Sequence, residues 1–259
     1  MGNIFRDLKF DPRKIVIEEL SISLPRLSPR FDGYRIAQIS DFHLGTWING
    51  EDLSHIIDIL NATAPDLVAI TGDFVNAHPD RFAHAMSAAF SRIRVQDCVV
   101  AVLGNHDHYT NPKKIREILK RSGIIELRNQ VLPIERDGCL LYLAGIDDRL
   151  TRNDDLDNVI SQIPDDGNSA ILLSHVPDFA DVSSKRGKFD MQISGHTHGG
   201  QICLPHLGNL YLPPLGRKYP SGRYQVDGMV LYTNRGIGTS WLKIRYQCSP
   251  EISVFTLSS

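Results

Sequence analysis

The sequence predicts an α/β protein whose sheets mix parallel and antiparallel strands. Short continuous apolar runs, such as residues 67–70 and 170–173, are typical of strands buried on both faces. Between such runs, apolar residues recur three and four positions apart, which is the period of an amphipathic helix. Asp137-Gly138, between two further apolar runs, indicates a hairpin and therefore antiparallel pairing. We expect the 259 residues to form one domain, because single α/β domains of this length are common.

The first half of the chain alternates strands with helices. Residues 1–30 are expected to form an N-terminal strand and a linker, because residues 15–24 alternate apolar and polar and Pro25 and Pro29 follow them. Leu53, Ile56, Ile57 and Leu60 define an apolar helix face. A later helix opens at Asn111-Pro112 and stops at Ser122-Gly123. The remaining predictions here are strands at 34–40, 67–70 and 98–103 and a helix over 82–93.

The second half adds hairpins and one long irregular loop. The Asp137-Gly138 hairpin pairs residues 131–135 with 140–144, and a short helix is expected near 154–160. Residues 201–222 are rich in Pro and Gly and too irregular for a helix, so we interpret them as a functional loop and a candidate for substrate contact. The other predicted strands lie at 170–173, at 192–194, in a hairpin over 224–232 and at 252–257.

Polar side chains follow five of the predicted strands at the point where each strand ends. Strand ends are where α/β sheets assemble a ligand site, so we expect these side chains to converge. Asp41 and His43 should point the same way, because side chains alternate across a strand. Each motif alone is also typical of an ordinary turn, but five in this order favour a metal site. The candidate ligands are Asp41, His43, Asp73, Asn105, His175, His196 and His198.

This candidate set mixes carboxylate and amide oxygen with imidazole nitrogen and contains no thiolate. Such a set suits Mn, Fe or Zn and argues against a closed structural zinc site. Seven ligands are too many for one tetrahedral ion, and they suit two ions that share a bridging group. The sequence therefore predicts two divalent transition-metal ions, with Mn favoured over Fe or Zn.

The ordered motifs over residues 41–198 resemble the calcineurin-like metallophosphoesterase family, whose pattern is DxH, GD, GNH(D/E), H and GHxH. Residues 199–202, 234–238 and 250–252 extend the resemblance to its YkuE-type branch. The resemblance implies a four-layer αββα sandwich, in which helices flank two mixed β-sheets. It assigns the first ion to Asp41, His43 and His198, the second to Asn105, His175 and His196, and the bridge to Asp73.

The resemblance also implies hydrolysis of a phosphoric ester or anhydride by a water that the two ions activate. His106 is then the catalytic residue, which protonates the leaving oxygen or stabilises transition-state charge without binding metal. Many relatives carry an Asp three residues after the bridging Asp to orient this histidine, whereas this chain has Asn76 there. A neutral amide orients the ring but stabilises an imidazolium less, which weakens the general-acid interpretation.

The phosphorylated substrate is left open between a phosphodiester, a pyrophosphate and a phosphomonoester. The loop over residues 201–222 is apolar enough either to pack on the domain or to cover an apolar substrate group. The resemblance implies one lipid-linked candidate, UDP-2,3-diacylglucosamine, which is a pyrophosphate of lipid A synthesis. A non-catalytic scaffold is the competing class, and the complete ligand set argues against it. Candidates for substrate contact are Asn76, His108, His206, Arg217, Lys218, Arg223 and Arg235.

Composition bears on partners and compartment. The 28 Lys and Arg residues nearly balance the 30 Asp and Glu residues, so we expect no binding to duplex nucleic acid. The four cysteines form no CxxC pair and are expected to be reduced. Neither a signal peptide nor a membrane span is recognisable, so we expect a cytoplasmic protein. Ile4, Phe5 and Leu8 form a small apolar stripe that predicts peripheral contact with the inner membrane. The sequence leaves the oligomeric state open.

Overall fold

The computed structural model describes residues 11–259, so the stripe of Ile4, Phe5 and Leu8 lies outside it. The strands are β1 Val16–Ser23, β2 Arg35–Ile39, β3 Leu67–Ile70, β4 Val99–Ala101, β5 Ile125–Glu126, β6 Gln130–Arg136, β7 Cys139–Gly145, β8 Ser169–Leu173, β9 Met191–Ser194, β10 Cys203–Leu204, β11 Gly208–Asn209, β12 Gly222–Val226, β13 Met229–Thr233 and β14 Glu251–Ser258. The α-helices are α1 Gly50–Ala62, α2 Pro79–Phe90, α3 Asn105–Thr110, α4 Pro112–Arg121, α5 Leu156–Ser161 and α6 Ala180–Ser183.

The strands form two six-stranded mixed sheets and one small hairpin. The first sheet has the order β1-β14-β2-β3-β4-β5, in which β14 pairs antiparallel with β2 and the other neighbours are parallel. The second has the order β12-β13-β9-β8-β7-β6, with antiparallel hairpins at both edges and parallel pairing between them. The hairpin of β10 and β11 stands apart. The mixed α/β class predicted from the sequence is therefore confirmed.

Three apolar cores separate four layers. The first core packs α1, α2 and α4 against one face of the first sheet and includes Leu53, Ile57 and Met86. The second lies between the two sheets. The third packs α5 and the short α6 against the outer face of the second sheet and includes Val159. The order helix, sheet, sheet, helix is the αββα sandwich that the resemblance implies.

The local sequence explains where the longer helices begin. Asn49 caps α1, because its side chain accepts hydrogen bonds from the N–H groups of Glu51 and Asp52. Asn111 caps α4 in the same way, and Pro112 occupies its first turn. Each cap satisfies backbone donors that a helix start leaves unpaired.

Three local predictions differ from the structure. The motif Gly104-Asn105-His106-Asp107 opens a helix, α3, which is not among the predicted helices. Within the predicted loop over residues 201–222, β10 and β11 form a short antiparallel hairpin with two residues in each strand. Strand β2 ends at Ile39, before the residues that it was expected to carry. The four cysteines are free thiols, as expected. Among residues 11–259, no helix combines the length and the apolar character needed to span a membrane.

Candidate metal centre

The candidate ligands lie where the carboxyl ends of strands from both sheets meet. A buried hydrogen bond of 2.8 Å from Gln38 Nε2 on β2 to the Ser194 carbonyl on β9 joins the two sheets at this edge. Another crosses from the backbone N–H of His196 to Asp41 Oδ2, at 2.9 Å. Loops that follow β2, β3, β4, β8 and β9 therefore bring their polar side chains to one place, as the strand-end pattern predicts.

The backbone at the site differs from the expected continuation of strands. Asp41 and His43 have φ angles of 54° and 46°, so they converge through left-handed turns and not through alternation along an extended strand. Asp73, His196 and His198 also have positive φ angles, between 52° and 72°. Such angles are uncommon for residues other than glycine and concentrate at functional sites.

The side chains form two groups joined by one carboxylate. In the first, His198 Nε2 lies 3.0 Å from His43 Nε2 and 3.6 Å from Asp41 Oδ1. In the second, His196 Nδ1 lies 3.2 Å from His175 Nε2. Asp73 Oδ2 lies 3.3 Å from both His43 Nε2 and His175 Nε2, so the same oxygen faces both groups. Each group places three ligand atoms within 4.8 Å of one another: Asp41, His43 and His198, and Asp73, His175 and His196.

Backbone carbonyls orient two of the imidazole rings. His175 Nδ1 lies 2.7 Å from the Thr71 carbonyl, and His196 Nε2 lies 2.9 Å from the Pro214 carbonyl. A carbonyl can only accept, so the proton of each ring belongs on the nitrogen that faces it. The opposite nitrogens, His175 Nε2 and His196 Nδ1, point into the cluster. Ligand histidines in metal sites are held by this kind of outer hydrogen bond.

One buried polar atom supports the fit of a metal ion to this set. Asn105 Oδ1 finds no hydrogen-bond partner among the described residues. A buried unpaired polar atom costs about 1–3 kcal/mol, which is why such atoms are rare without a function. Asn105 lines the same cavity as His43 and Asp73, so its amide oxygen is available as a ligand. The residues present therefore fit the oxygen and nitrogen ligands of Mn, Fe or Zn.

The buried charges of the cluster favour a cation. Burial opposes ionisation of Asp73, but His175 and His43 outweigh it and hold the pKa of that carboxyl well below its usual range. Burial also opposes the charged form of His175, but Asp73 prevails and raises its pKa to about 10. Burial and the charge of His175 lower the pKa of His196 to about 3, which keeps that ring neutral. The Asp73 carboxylate is therefore ionised and attracts positive charge, while the neutral His196 ring can donate a nitrogen lone pair to a metal ion.

Asp107 supports the loop that carries Asp73. Its carboxylate accepts from the backbone N–H groups of Asp73, Phe74 and Gly104, at 2.9 to 3.0 Å. It also closes the first turn of α3, which explains why the helix starts inside the motif. Burial and the neighbouring charge of Asp73 raise the pKa of Asp107 to about 7. Asp107 is fully buried, so its role is to hold the loop that carries Asp73.

His106 lies at the edge of the cluster and is half-buried. Its backbone N–H donates to Asp73 Oδ1 at 2.9 Å, and its ring packs edge-on against His43, with centroids 4.7 Å apart. Burial lowers the pKa of His106, and the charges of His43 and His175 act in the same direction. Within residues 11–259, no side chain hydrogen bonds to its ring. Asn76 is half-buried, and the hydrogen bond it forms is from its backbone N–H to Leu44.

The cluster opens into a cavity of about 270 Å³ whose outer wall is apolar and aromatic. Tyr109 and Trp241 line this cavity and are not among the predicted site residues. For Tyr109 a signal was present, because a residue three positions after His106 lies on the same face of a helix. Tyr211 and Trp241 meet edge-on across the cavity mouth, with ring centroids 6.0 Å apart. The apolar wall consists of Tyr109, Leu150, Ile202, Leu210, Tyr211, Pro213, Pro214 and Trp241.

The polar residues proposed for substrate contact do not line this cavity. His108 is instead held by Asp147, with 2.7 Å between Nε2 and Oδ1. Arg235 is paired with Glu251 and Glu18, and Lys218 with Asp181. Carboxylates distant in sequence occupy these three polar groups, and contact of any of the seven residues with substrate stays a prediction. Asn76, His206, Arg217 and Arg223 also lie outside the lining.

Comparison with known proteins agrees with this geometry. The family model of the calcineurin-like phosphoesterases matches residues 34–200. The metallophosphoesterase YkuE of Bacillus subtilis is 35% identical over 254 residues, which cover 96% of this chain and 87% of YkuE. The phosphodiesterase YaeI of Escherichia coli is 27% identical, covering 86% of this chain and 82% of YaeI. The sulfate thiohydrolase SoxB of Thermus thermophilus shares the fold, with a TM-score of 0.52 at 11% identity, over 89% of this chain and 57% of SoxB.

A metal-dependent hydrolase of phosphoric esters is the class that the fold and the site define. The chain belongs to the calcineurin-like phosphoesterase family, because the family model covers more than half of it and YkuE matches almost its whole length.

Proposed function

We propose that the seven candidate ligands hold two divalent transition-metal ions and that the enzyme hydrolyses a phosphodiester or pyrophosphate bond. The observation that carries this proposal is the position of Asp73 Oδ2, 3.3 Å from a ring nitrogen of each histidine group. A single carboxylate oxygen placed between two sets of ligands is suited to bridge two ions. The first ion would be held by Asp41, His43 and His198, and the second by Asn105, His175 and His196.

When bound, two such ions activate water and neutralise charge on the phosphoryl oxygens. The chain's own contribution is positional. The N–H of His106 engages Asp73 Oδ1, which leaves Oδ2 free to face both groups. The neutral His106 ring lines the cavity, where its N–H can stabilise charge on the oxygen that leaves. Without a carboxylate partner, this ring is better suited to hydrogen bonding than to full proton transfer.

A lipid-linked pyrophosphate is the substrate that the apolar wall favours. Leu210 and Trp241 line the cavity, yet each is 61% exposed. Large apolar side chains that cluster at a cavity mouth mark contact with an apolar partner. UDP-2,3-diacylglucosamine, or another acylated pyrophosphate at a membrane surface, would place acyl chains on this wall. The basic residues of the loop do not support this substrate, because they lie outside the cavity.

The decisive experiment joins metal analysis to hydrolysis assays. Metal-free protein is loaded with Mn²⁺ or Zn²⁺, the ions per chain are counted, and bis(p-nitrophenyl) phosphate, p-nitrophenyl phosphate and UDP-sugars are compared as substrates. We expect two ions per chain and higher kcat/KM on the diester or pyrophosphate than on the monoester. One ion or none in the loaded protein would refute the two-ion centre, and a preference for the monoester would refute the bond assigned.

The lipid hypothesis has a separate test. The ratio of kcat/KM for UDP-2,3-diacylglucosamine to that for unacylated UDP-N-acetylglucosamine should exceed one, and Trp241→Ala should reduce the ratio. Tyr246→Ala is a matched control, because Tyr246 is exposed but does not line the cavity. A preference for the unacylated compound would end the lipid hypothesis and leave the metal chemistry standing.

A further inference from the structure

Arg245 lies directly behind the first ligand group. Its guanidinium holds the backbone of one short segment: Nε donates to the Gly238 carbonyl at 2.9 Å, and Nη2, which has two hydrogens, lies 2.7 Å from the carbonyls of Arg235 and Gly238 and 3.1 Å from that of Gly236. Nη2 also lies 3.2 Å from Nδ1 of His198. A planar guanidinium with five donors can hold several acceptors in one fixed arrangement, which a lysine cannot do.

The segment that Arg245 holds is packed on Asp41. The N–H of Ile237 donates to the Ser40 carbonyl at 2.9 Å, and that of Gly238 donates to the Asp41 carbonyl at 2.7 Å. A Cβ on Gly236 would lie 2.7 Å from Cβ of Asp41, so the backbones are in direct contact. Arg245 therefore touches one ligand of the first group, His198, and supports the backbone behind another, Asp41.

The second group is held by other contacts. His175 and His196 each face a backbone carbonyl, those of Thr71 and Pro214, and the Asp107 carboxylate accepts from the backbone N–H of Asp73. The contacts of Arg245 reach none of these residues, because they end at the 235–238 segment, His198 and Cys248. The support that Arg245 provides is therefore confined to the first group.

We propose that Arg245 is the positioning residue of the first ligand group and sets the affinity of that group for its ion. The inference rests on the proposed two-ion function. A guanidinium can only donate, so its contact with His198 Nδ1 is not the usual outer hydrogen bond of a ligand histidine, and the effect of Arg245 runs through the backbone behind Asp41. Loss of outer hydrogen bonds that hold ligands in place changes metal affinity by about 10- to 100-fold in known sites. Loss of Arg245 should therefore affect the two ions differently. The affinity for the ion at Asp41, His43 and His198 should fall, while the ion at Asp73, His175 and His196 stays bound.

The test compares Arg245→Met and Arg245→Lys with wild type and with Arg235→Lys. Arg235 is a matched control, because it is a half-buried arginine of the same segment whose partners are Glu251 and Glu18. Mn²⁺ is titrated into metal-free protein by calorimetry, and Tm is measured with and without Mn²⁺. We expect two tight ions in wild type and Arg235→Lys. In Arg245→Met, one ion should weaken by about 10-fold or more, with a smaller rise in Tm on adding Mn²⁺. Arg245→Lys should lie between.

A purely structural role would give a different result. Tm of the metal-free protein would then fall while both Mn²⁺ affinities and the rise in Tm stayed as in wild type, and this would overturn the role of Arg245. Equal weakening of both ions would overturn it as well. A wild-type protein that binds fewer than two ions would overturn the two-ion function first, so the two failures can be told apart.

Discussion

Replacing Gly104 by Ala should displace the Asp73 carboxylate without disturbing the local backbone conformation. Gly104 has φ −104° and ψ 178°, which any residue adopts, so the added methyl group acts only through its contacts. The new Cβ would lie 2.2 Å from Asp73 Oδ1, whereas real Cβ contacts essentially never fall below 3.0 Å. The difference between these distances is 0.8 Å, and this is the smallest shift that relieves the clash.

That shift moves the Asp73 carboxylate, which both ligand groups share. Asp73 Oδ1 accepts from the His106 N–H, and Asp73 Oδ2 faces both His43 and His175. A misplacement of about 1 Å at a catalytic centre costs about 10²-fold in rate. We therefore expect Gly104→Ala to lose about 10²-fold in kcat on bis(p-nitrophenyl) phosphate and to bind its ions more weakly. Overpacking should also cost about 1–3 kcal/mol of stability.

Gly167→Ala provides the control for a loss of stability alone. Gly167 has φ 80°, so Ala is strained there by about 1–2 kcal/mol, but nothing lies within 4 Å of the new Cβ. The control should lower Tm yet keep wild-type kcat and metal content. If Gly104→Ala kept both ions and a kcat within about twofold of wild type, the steric argument would be refuted, because Asp73 would have tolerated the shift.

Three other perturbations test the bridge, the cavity histidine and a neighbouring ion-pair network. Asp73→Asn should lose both ions and activity, and elemental analysis that finds two ions would contradict the bridging role. His106→Ala should keep both ions but lose about 10² to 10⁴-fold in kcat on a poor leaving group and less on nitrophenolate; an equal loss on both would exclude help to the leaving group. Burial opposes ionisation of Asp147, but His108 and Arg116 hold its pKa below the usual value. Its contribution to stability is thus present above the unfolded pKa of about 3.9 and is lost as pH falls through the folded pKa. Asp147→Asn should lower Tm near neutral pH and converge with wild type on acidification, and a constant difference in Tm would argue against this linkage.

The parts of the fold that were predictable from sequence are those fixed by local burial. The run at 67–70 becomes β3, with all four residues buried, because a strand covered on both faces needs apolar residues at every position. Leu53, Ile56, Ile57 and Leu60 are the buried residues of α1, since their spacing matches one helix face. The hairpin around Asp137-Gly138 likewise follows from turn chemistry that is local to the chain.

The parts of the site that were missed depend on contacts between distant segments. His108 and Arg235 were assigned to substrate because they lie beside motifs, but their carboxylate partners are 39 and 16 positions away. Trp241 and Arg245 lie in a segment without strand or helix periodicity, so no sequence pattern marked them. The segment reaches the cavity because Tyr246 forms a bridge with Ile202, which is a long-range pairing.

The glycines beside the ligands explain why the ligand motifs can be recognised in the sequence. The positions of the ligand side chains, in contrast, do not follow from the alternation of side chains along a strand. A Cβ on Gly72 would lie 2.5 Å from the Gly104 backbone nitrogen, and one on Gly195 would lie 2.4 Å from Asp41 Oδ2. Each glycine is thus required by a loop other than its own, because a larger residue would push a neighbouring ligand out of place. Loops packed this closely bring ligands from both sheets within hydrogen-bonding distance. The glycines in the sequence motifs are therefore a sign of close backbone contacts between loops. The left-handed turns at Asp41, Asp73 and His196 direct the ligand side chains towards each other once those contacts form.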